Sequence, residues 1–451
     1  MRLKLLFISD LLRTSFWFIP SIMAVLAFGL ALGLVELDRL LLGHKIDLAW
    51  NYSGSADGAR QMLATIASSM ITVAGVVFSI TIVALTLASS QFGPRLMRNF
   101  IRDRANQIVL GVFIATFIYC LLVLGAVRSD AYGDFVPSLS IVVGVAFSLV
   151  SLAVLIFFIH HVASEIQATH VVAAVSAELR EAIDRLFPED LGNEPASAAE
   201  PLRDMPAHFA AASRPLLADK GGYLVAIDND RLLELAKQHS LIVRLDCRPG
   251  QFVIVGNDLA AVLPGEKLDD KLQSQLRGVF QWGIERTLLQ DVGFGIDQLV
   301  EVAVRALSPG INDPFTACNC IDRLAEAICR ILGRRQPSSF RYDDQRQLRV
   351  VAHAIGSDAL LDNAFQQIRI YGAANPAVLV RLLESLRAMA RNARRQPDLA
   401  AIDRQAVLVA RAADRSLPDD CKPTITAHYE AVLQATQTQR RAIDRDPAEA
   451  Q

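Results

Sequence analysis

The sequence predicts an α-helical integral membrane protein: four transmembrane helices, then a mainly α cytoplasmic domain that contains a small β-rich module. Three observations predict it. Residues 1–162 hold 19 Asp, Glu, Lys and Arg, about 12%, whereas residues 163–451 hold 73, about 25%, the ordinary proportion of a soluble domain. Four stretches, 14–35, 61–94, 105–127 and 135–164, contain none of these residues, and each is long enough to cross the ~30 Å hydrocarbon layer as a helix. Beyond residue 164 the longest such run is 12 residues, which is too short for a fifth span. The two parts carry net charges of +3 and −5, so neither a polybasic face nor an acidic tail points to nucleic acid.

The membrane domain occupies residues 1–162, with spans near 16–35, 63–88, 107–127 and 139–161. The first span lacks a small-x-small cleavage site before Glu36 and three more follow it, so it reads as a retained helix rather than a secretory signal. Arg2, Lys4 and Arg13 precede span one, and Arg95, Arg98, Arg102 and Arg104 form the short loop after span two. The other two loops are balanced by acidic residues, and the positive-inside rule then places both termini in the cytoplasm. Cys247, Cys318, Cys320, Cys329 and Cys421 would face a reducing compartment; Cys318 and Cys320 have C-x-C spacing without a second pair, a weak metal signal.

Span two differs from its neighbours. Thr65, Thr72, Ser79 and Thr86 recur every seven residues, with Ser69 beside that line, so one face carries a stripe of small hydroxyl side chains. Small residues let membrane helices approach closely, which is the common use of such a stripe. In a ring of subunits the same hydroxyls could line a pore and replace part of an ion's hydration shell. No ionisable residue lies at mid-membrane depth, which counts against proton-coupled pumps and voltage sensors. His161 and Glu165, at i and i+4 where span four ends, are candidate metal or pH-sensing groups, but no third ligand accompanies them.

Span four is expected to continue as a helix over 163–187, because no Gly or Pro interrupts it before Pro188. Residues 188–215, rich in Pro and Ala, read as a linker. A β-rich module follows over 216–265, with strands at 223–227, 241–246, 251–255 and 259–263 and one helix capped by Asp228 or Asn229. Residues 266–440 read as helices at 266–290, 295–307, 314–332, 357–371, 376–394, 398–416 and 424–438, and 441–451 as a frayed tail. Within them Ala306 to Ala317 reads ALSPGINDPFTA. Ser308 and Gly310 stop one helix, and Asp313 caps the next ahead of Pro314. Alternatively, Ser308, Gly310, Asn312 and Asp313 form a ligand loop at a helix N-terminus.

The four spans, QFGPR (Gln91 to Arg95), FIHH (Phe158 to His161), RPGQFV (Arg248 to Val253), Gln290-Asp291 with FGIDQL (Phe294 to Leu299), and ALSPGINDP together resemble a family of bacterial membrane proteins, domain of unknown function 2254. The resemblance covers nearly the whole chain and implies a four-pass protein of the bacterial inner (plasma) membrane with a cytoplasmic C-terminal domain. It implies no activity.

The sequence holds no GxSxG, HExxH, Walker A, GxGxxG or CxxC signature, so no enzyme class and no cofactor are expected. The leading functional expectation is a homo-oligomeric ion or small-solute channel, regulated by its cytoplasmic domain, with the four loop arginines at the cytoplasmic mouth. The alternative is a membrane-anchored sensor or scaffold whose cytoplasmic domain binds a ligand or a protein. A third reading makes Asn312 and Asp313 parts of an enzyme site.

Overall fold

The structure is a computed structural model of the chain; it describes residues 17–43, 54–93, 104–130, 133–165, 167–187, 205–334, 338–352 and 356–445. Two compact units divide the chain at His170 and Val171.

In the first unit, apolar composition over 23 to 37 residues produces four helices: α1 (Phe18–Gly43), α2 (Ala56–Phe92), α3 (Arg104–Ala126) and α4 (Ser138–Glu165). All four are long and apolar enough to cross a membrane. Half of the α3 window is buried against 22% of each other window, so α3 is the inner member of the bundle. A short antiparallel hairpin, β1 (Arg128–Asp130) and β2 (Gly133–Phe135), joins α3 to α4.

The bundle is closed by polar contacts. Asp38, which the sequence placed in a loop after span one, lies on α1 because that helix continues to Gly43. Its buried carboxylate accepts hydrogen bonds from the Leu139 amide (3.0 Å), the Ser140 amide (2.9 Å) and the Ser140 hydroxyl (2.6 Å). Free amides at a helix start need an acceptor, and here another helix supplies the cap. The Tyr119 hydroxyl donates to the Ser140 carbonyl at 2.8 Å, and Arg60 donates to the Val127 carbonyl just past α3 at 3.1 Å.

The expected continuation of span four as one helix is corrected. Helix α4 ends at Glu165 and α5 (Ala168–Leu186) begins at Ala168, with Gln167 outside both helices. The Gln167 amide bonds the Ser164 carbonyl and the His170 amide the Gln167 carbonyl, three residues apart rather than four. The Ser164 hydroxyl also takes the His160 carbonyl, a local bond that bends helices.

The second unit is mixed. After α6 (Phe209–Ala212) come β3 (Arg214–Leu217), β4 (Gly222–Ile227), α7 (Asn229–Gln238), β5 (Ile242–Leu245), β6 (Phe252–Val253), β7 (Asp258–Leu263), α8 (Asp270–Arg277) and β8 (Phe280–Gly283). Helices α9 (Val292–Ala306) and α10 (Pro314–Leu332), strands β9 (Phe340–Tyr342) and β10 (Leu348–Val351), then α11 (Ser357–Tyr371), α12 (Pro376–Asn392), α13 (Gln396–Ser416) and α14 (Lys422–Arg445) complete it. Strands β3-β7-β5-β10-β9 form one sheet and β6-β4-β8 another, with α7 and α8 supplying Leu232, Leu235, Leu272 and Leu276 to the core between them.

Three expected boundaries move. Part of the expected linker over 188–215 is structured: Phe209 is buried against Ala261 and Leu263, and β3 pairs with β7. Residues 188–204 lie outside the described residues. The β-rich module extends beyond 216–265, because β8 pairs with β4, and β10 pairs in parallel with β5 across about a hundred residues that no local pattern connects. The expected helix over 266–290 is instead a short turn of helix at Gly265–Lys267, then α8, β8 and a loop, since Gly278 ends α8.

Candidate functional site

Along α2, Leu63, Ala67, Ala74, Val77 and Ala84 are buried against the other helices. Thr65, Ser69, Thr72, Ser79 and Thr86 are all exposed. At 100° per residue the two sets occupy opposite faces, so the stripe points out of the bundle and takes no part in packing within the chain. Thr65, Thr72 and Thr86 each donate to the carbonyl four residues earlier, at 2.7, 2.8 and 2.9 Å. A hydroxyl that donates inward keeps its acceptor lone pairs turned outward. The Ser69 and Ser79 hydroxyls make no hydrogen bond among the described residues.

The other candidates from the sequence are scattered. Arg95, Arg98 and Arg102 lie outside the described residues, and Arg104 is the exposed first residue of α3. His161 stacks on Phe157 with ring centres 5.4 Å apart, and the Glu165 side chain lies outside the described set. Among the described residues no group of three His, Cys, Asp or Glu is placed to hold a metal. Burial raises the Cys318 and Cys320 thiols above their usual range.

In the ALSPGINDP loop the candidate residues act as a helix cap. Asp313 accepts from the Phe315 and Thr316 amides, both at 3.1 Å, and from the Thr316 hydroxyl at 2.6 Å. The Thr316 hydroxyl and then the amides hold its carboxyl below the usual range. Ser308 bonds the Arg305 carbonyl, Asn312 adopts a left-handed conformation at φ 49°, and Gly310 borders open space.

Sequence reasoning missed a partly buried ion-pair cluster around Asp291. Asp291, 3% exposed, caps α9 through the Phe294 amide and takes Arg286 at 2.8 Å. Arg286 also pairs with Asp297 at 2.5 Å, and Asn363 on α11 donates to Asp297 at 2.6 Å. Burial holds the Asp291 carboxyl above its usual range despite the guanidinium beside it. Gly250, at φ 86°, lies so close to Asp291 that a Cβ there would overlap the carboxylate. Gln290 donates to the Ile227 carbonyl and accepts from the Ile227 amide, at 3.0 and 2.9 Å, a two-way clasp on β4.

A family model described as predicted membrane protein, domain of unknown function 2254 (DUF2254), matches residues 13–388. The chain belongs to this family. Uncharacterized proteins of Mycobacterium bovis and Mycobacterium tuberculosis are 34% identical to it over 426 residues, 92% of this chain and 79% of theirs. No solved structure matches.

The structure places three signature segments of this DUF2254 protein together: RPGQFV supplies Gly250, the Gln290-Asp291 pair supplies the clasp and the cap, and FGIDQL supplies Asp297. The Gln290 clasp ties β4 to the start of α9, and the pairs of Arg286 with Asp291 and Asp297 brace that start. The ALSPGINDP signature lies past the opposite end of α9. The signal for the cluster was present in the sequence as an Arg with two Asp at +5 and +11, but only the fold shows that they meet.

Proposed function

We propose that this protein is a homo-oligomeric membrane channel in which α2 from each subunit presents its hydroxyl stripe to a shared axis. The observation that carries the proposal is the direction of the stripe. It is turned away from the helices of its own chain, so lipid or another subunit must meet it. Hydroxyls facing lipid gain nothing, whereas around an axis their outward lone pairs can stand in for water on a cation. On this reading the protein is not an enzyme, its termini are cytoplasmic, and the arginine loop Arg95 to Arg104 lies at the inner mouth. Ion flux through proteoliposomes holding the full chain is the test. Thr72→Leu and Ser79→Leu are expected to cut flux about tenfold or more without loss of folded protein; unchanged flux in both, or a protein that stays monomeric in the bilayer, overturns the reading.

One observation favours the sensor as a second reading. An open surface groove of about 570 Å³ lies between the end of β5 and the β6–β7 loop, lined by Arg244, Asp246, Gln251, Asn257 and Asp258 among others. Its polar walls suit a small polar solute. Retention of such a solute by the full-length protein, lost in Asn257→Ala, supports it; a purified protein free of solute argues against it.

A further inference from the structure

The groove at the end of β5 holds unmatched polar groups of both signs. Arg244 supplies the positive one. Its Nε donates to the Asp246 carboxylate at 2.9 Å, and its guanidinium carbon lies 5.5 Å from the centre of the Phe209 ring, which is itself buried against Ala261 and Leu263. These two contacts hold the plane of the guanidinium and occupy one of its edges. The other edge, with Nη1 and Nη2, makes no hydrogen bond among the described residues. A guanidinium held in this way offers a fork of N–H donors, and a carboxylate fits such a fork through two parallel bonds.

Asp258 supplies the negative group. It is the exposed first residue of β7, and among the described residues no ion pair or hydrogen bond engages its carboxylate. Arg244 aligns with Ala261 across the β5–β7 ladder, and Asp258 lies three residues from Ala261 along β7. At ~3.3 Å per residue and ~4.8 Å between strands, the Cα atoms of Arg244 and Asp258 are roughly 11 Å apart. Both side chains line the one groove, so a single small molecule can meet the two.

The uncharged groups of the groove are also open. The Asn257 carboxamide has no partner among the described residues, and Gln251 keeps its Nε2 donors, since its Oε1 takes the Arg248 amide at 3.4 Å. Gly256, at φ 88°, borders open space on the same loop, so no side chain closes the groove there.

We propose that the groove binds a small zwitterion, with its carboxylate on the Nη edge of Arg244 and its ammonium on Asp258. A lone cation would leave the guanidinium fork empty. A lone anion would lie near Asp246 and Asp258 with no positive end to offset them. A neutral polyol would use the two amides and leave both charged groups to water. An amino acid and a short peptide with free ends carry the same pair of charged groups, and the Asn257 and Gln251 amides suit a peptide bond between them. The inference deepens the sensor reading of this groove and rests on it.

The test uses the full-length protein in lipid nanodiscs and equilibrium dialysis of labelled probes. Glycine, diglycine and triglycine are the zwitterions, acetate and methylamine are the two ends of glycine taken separately, and sorbitol is the neutral polyol. Saturable binding of at least one glycine compound is expected, with acetate and methylamine roughly tenfold weaker or more. The compound that binds best tells an amino acid from a peptide as the source. Asp258→Asn and Arg244→Lys are each expected to weaken binding about fivefold or more, the first without a change in melting temperature because nothing in the chain engages that carboxylate. Acetate or methylamine binding as well as the zwitterions overturns the proposal in favour of a singly charged ligand, and so does zwitterion binding undiminished in both variants. Sorbitol binding, or a retained solute of another class, that is lost in Asn257→Ala while no glycine compound binds sinks the zwitterion and leaves the sensor reading standing. No binding of any probe by a protein that retains no solute sinks both.

Discussion

The two units place their polar groups by opposite rules. In the membrane unit, several hydroxyls bond back to their own helix, as Thr65, Thr72 and Thr86 do, or sit at helix ends, as Ser140 does on Asp38, while buried Thr116 and Ser151 pair across α3 and α4 at 3.1 Å. In the second unit, polar side chains reach across elements far apart in sequence. Arg330 pairs with Asp184 at 2.6 Å, Arg440 with Asp403 at 2.5 Å, and Arg404 with Asp362 at 2.8 Å. The difference follows from solvent. Lipid offers no partner, so each membrane helix satisfies its own backbone, and its side-chain bonds to neighbours are few and short. An aqueous unit can fix its register with long-range pairs, provided buried members are fully matched.

This contrast is open to attack by mutation. The largest effect is expected at Gly250→Ala, where the left-handed backbone and the overlap with Asp291 act together. A loss of about 3 kcal/mol is expected from the positive φ and the displaced ion pair. Thermal unfolding of the second unit would show it, and a melting point within a degree of the parent would mean that the Asp291 cluster yields easily. Next is Asp38→Ala, which strips α4 of its cap and leaves two amides and a hydroxyl unmatched. A cost of about 2 kcal/mol is expected, with Asp38→Asn recovering part of it; equal losses in both variants would show that the carboxylate's charge, not its capping geometry, matters.

Smaller still is Asp313→Ala, with about 1 kcal/mol expected for one lost cap. Because its folded carboxyl is held below the usual range, its contribution is full above the ordinary value near ~4 and is lost as pH falls through the depressed one. Unfolding curves of parent and variant should therefore converge in strong acid, and a gap that persists there contradicts the cap. The least effect on stability, below about 0.5 kcal/mol, is expected for Thr72→Leu and Ser79→Leu, since neither side chain packs within its chain. A marked loss of folded monomer in either variant would mean that the stripe is packing surface after all.

How much was legible in the sequence divides along the same line. Hydropathy alone located all four membrane helices, and the heptad of Thr65, Thr72, Ser79 and Thr86 was visible because a helix repeats over a short range. The cap at Asp313 and the helix after Asp228 were equally local. Strand β10 was not legible, since its parallel partner β5 lies about a hundred residues earlier, nor was β8, hidden in what read as one long helix. Asp38 looked like a loop charge because nothing near it in sequence needs an acceptor. Its donors are 101 and 102 residues away.

That separation sets a schedule for making the protein. At roughly 5–20 residues per second, about 5–20 s pass between synthesis of Asp38 and emergence of Leu139 and Ser140. Through that interval the carboxylate has no donor of its own from α4. The helix made first therefore carries a carboxylate without its final donors until the last helix of the bundle arrives.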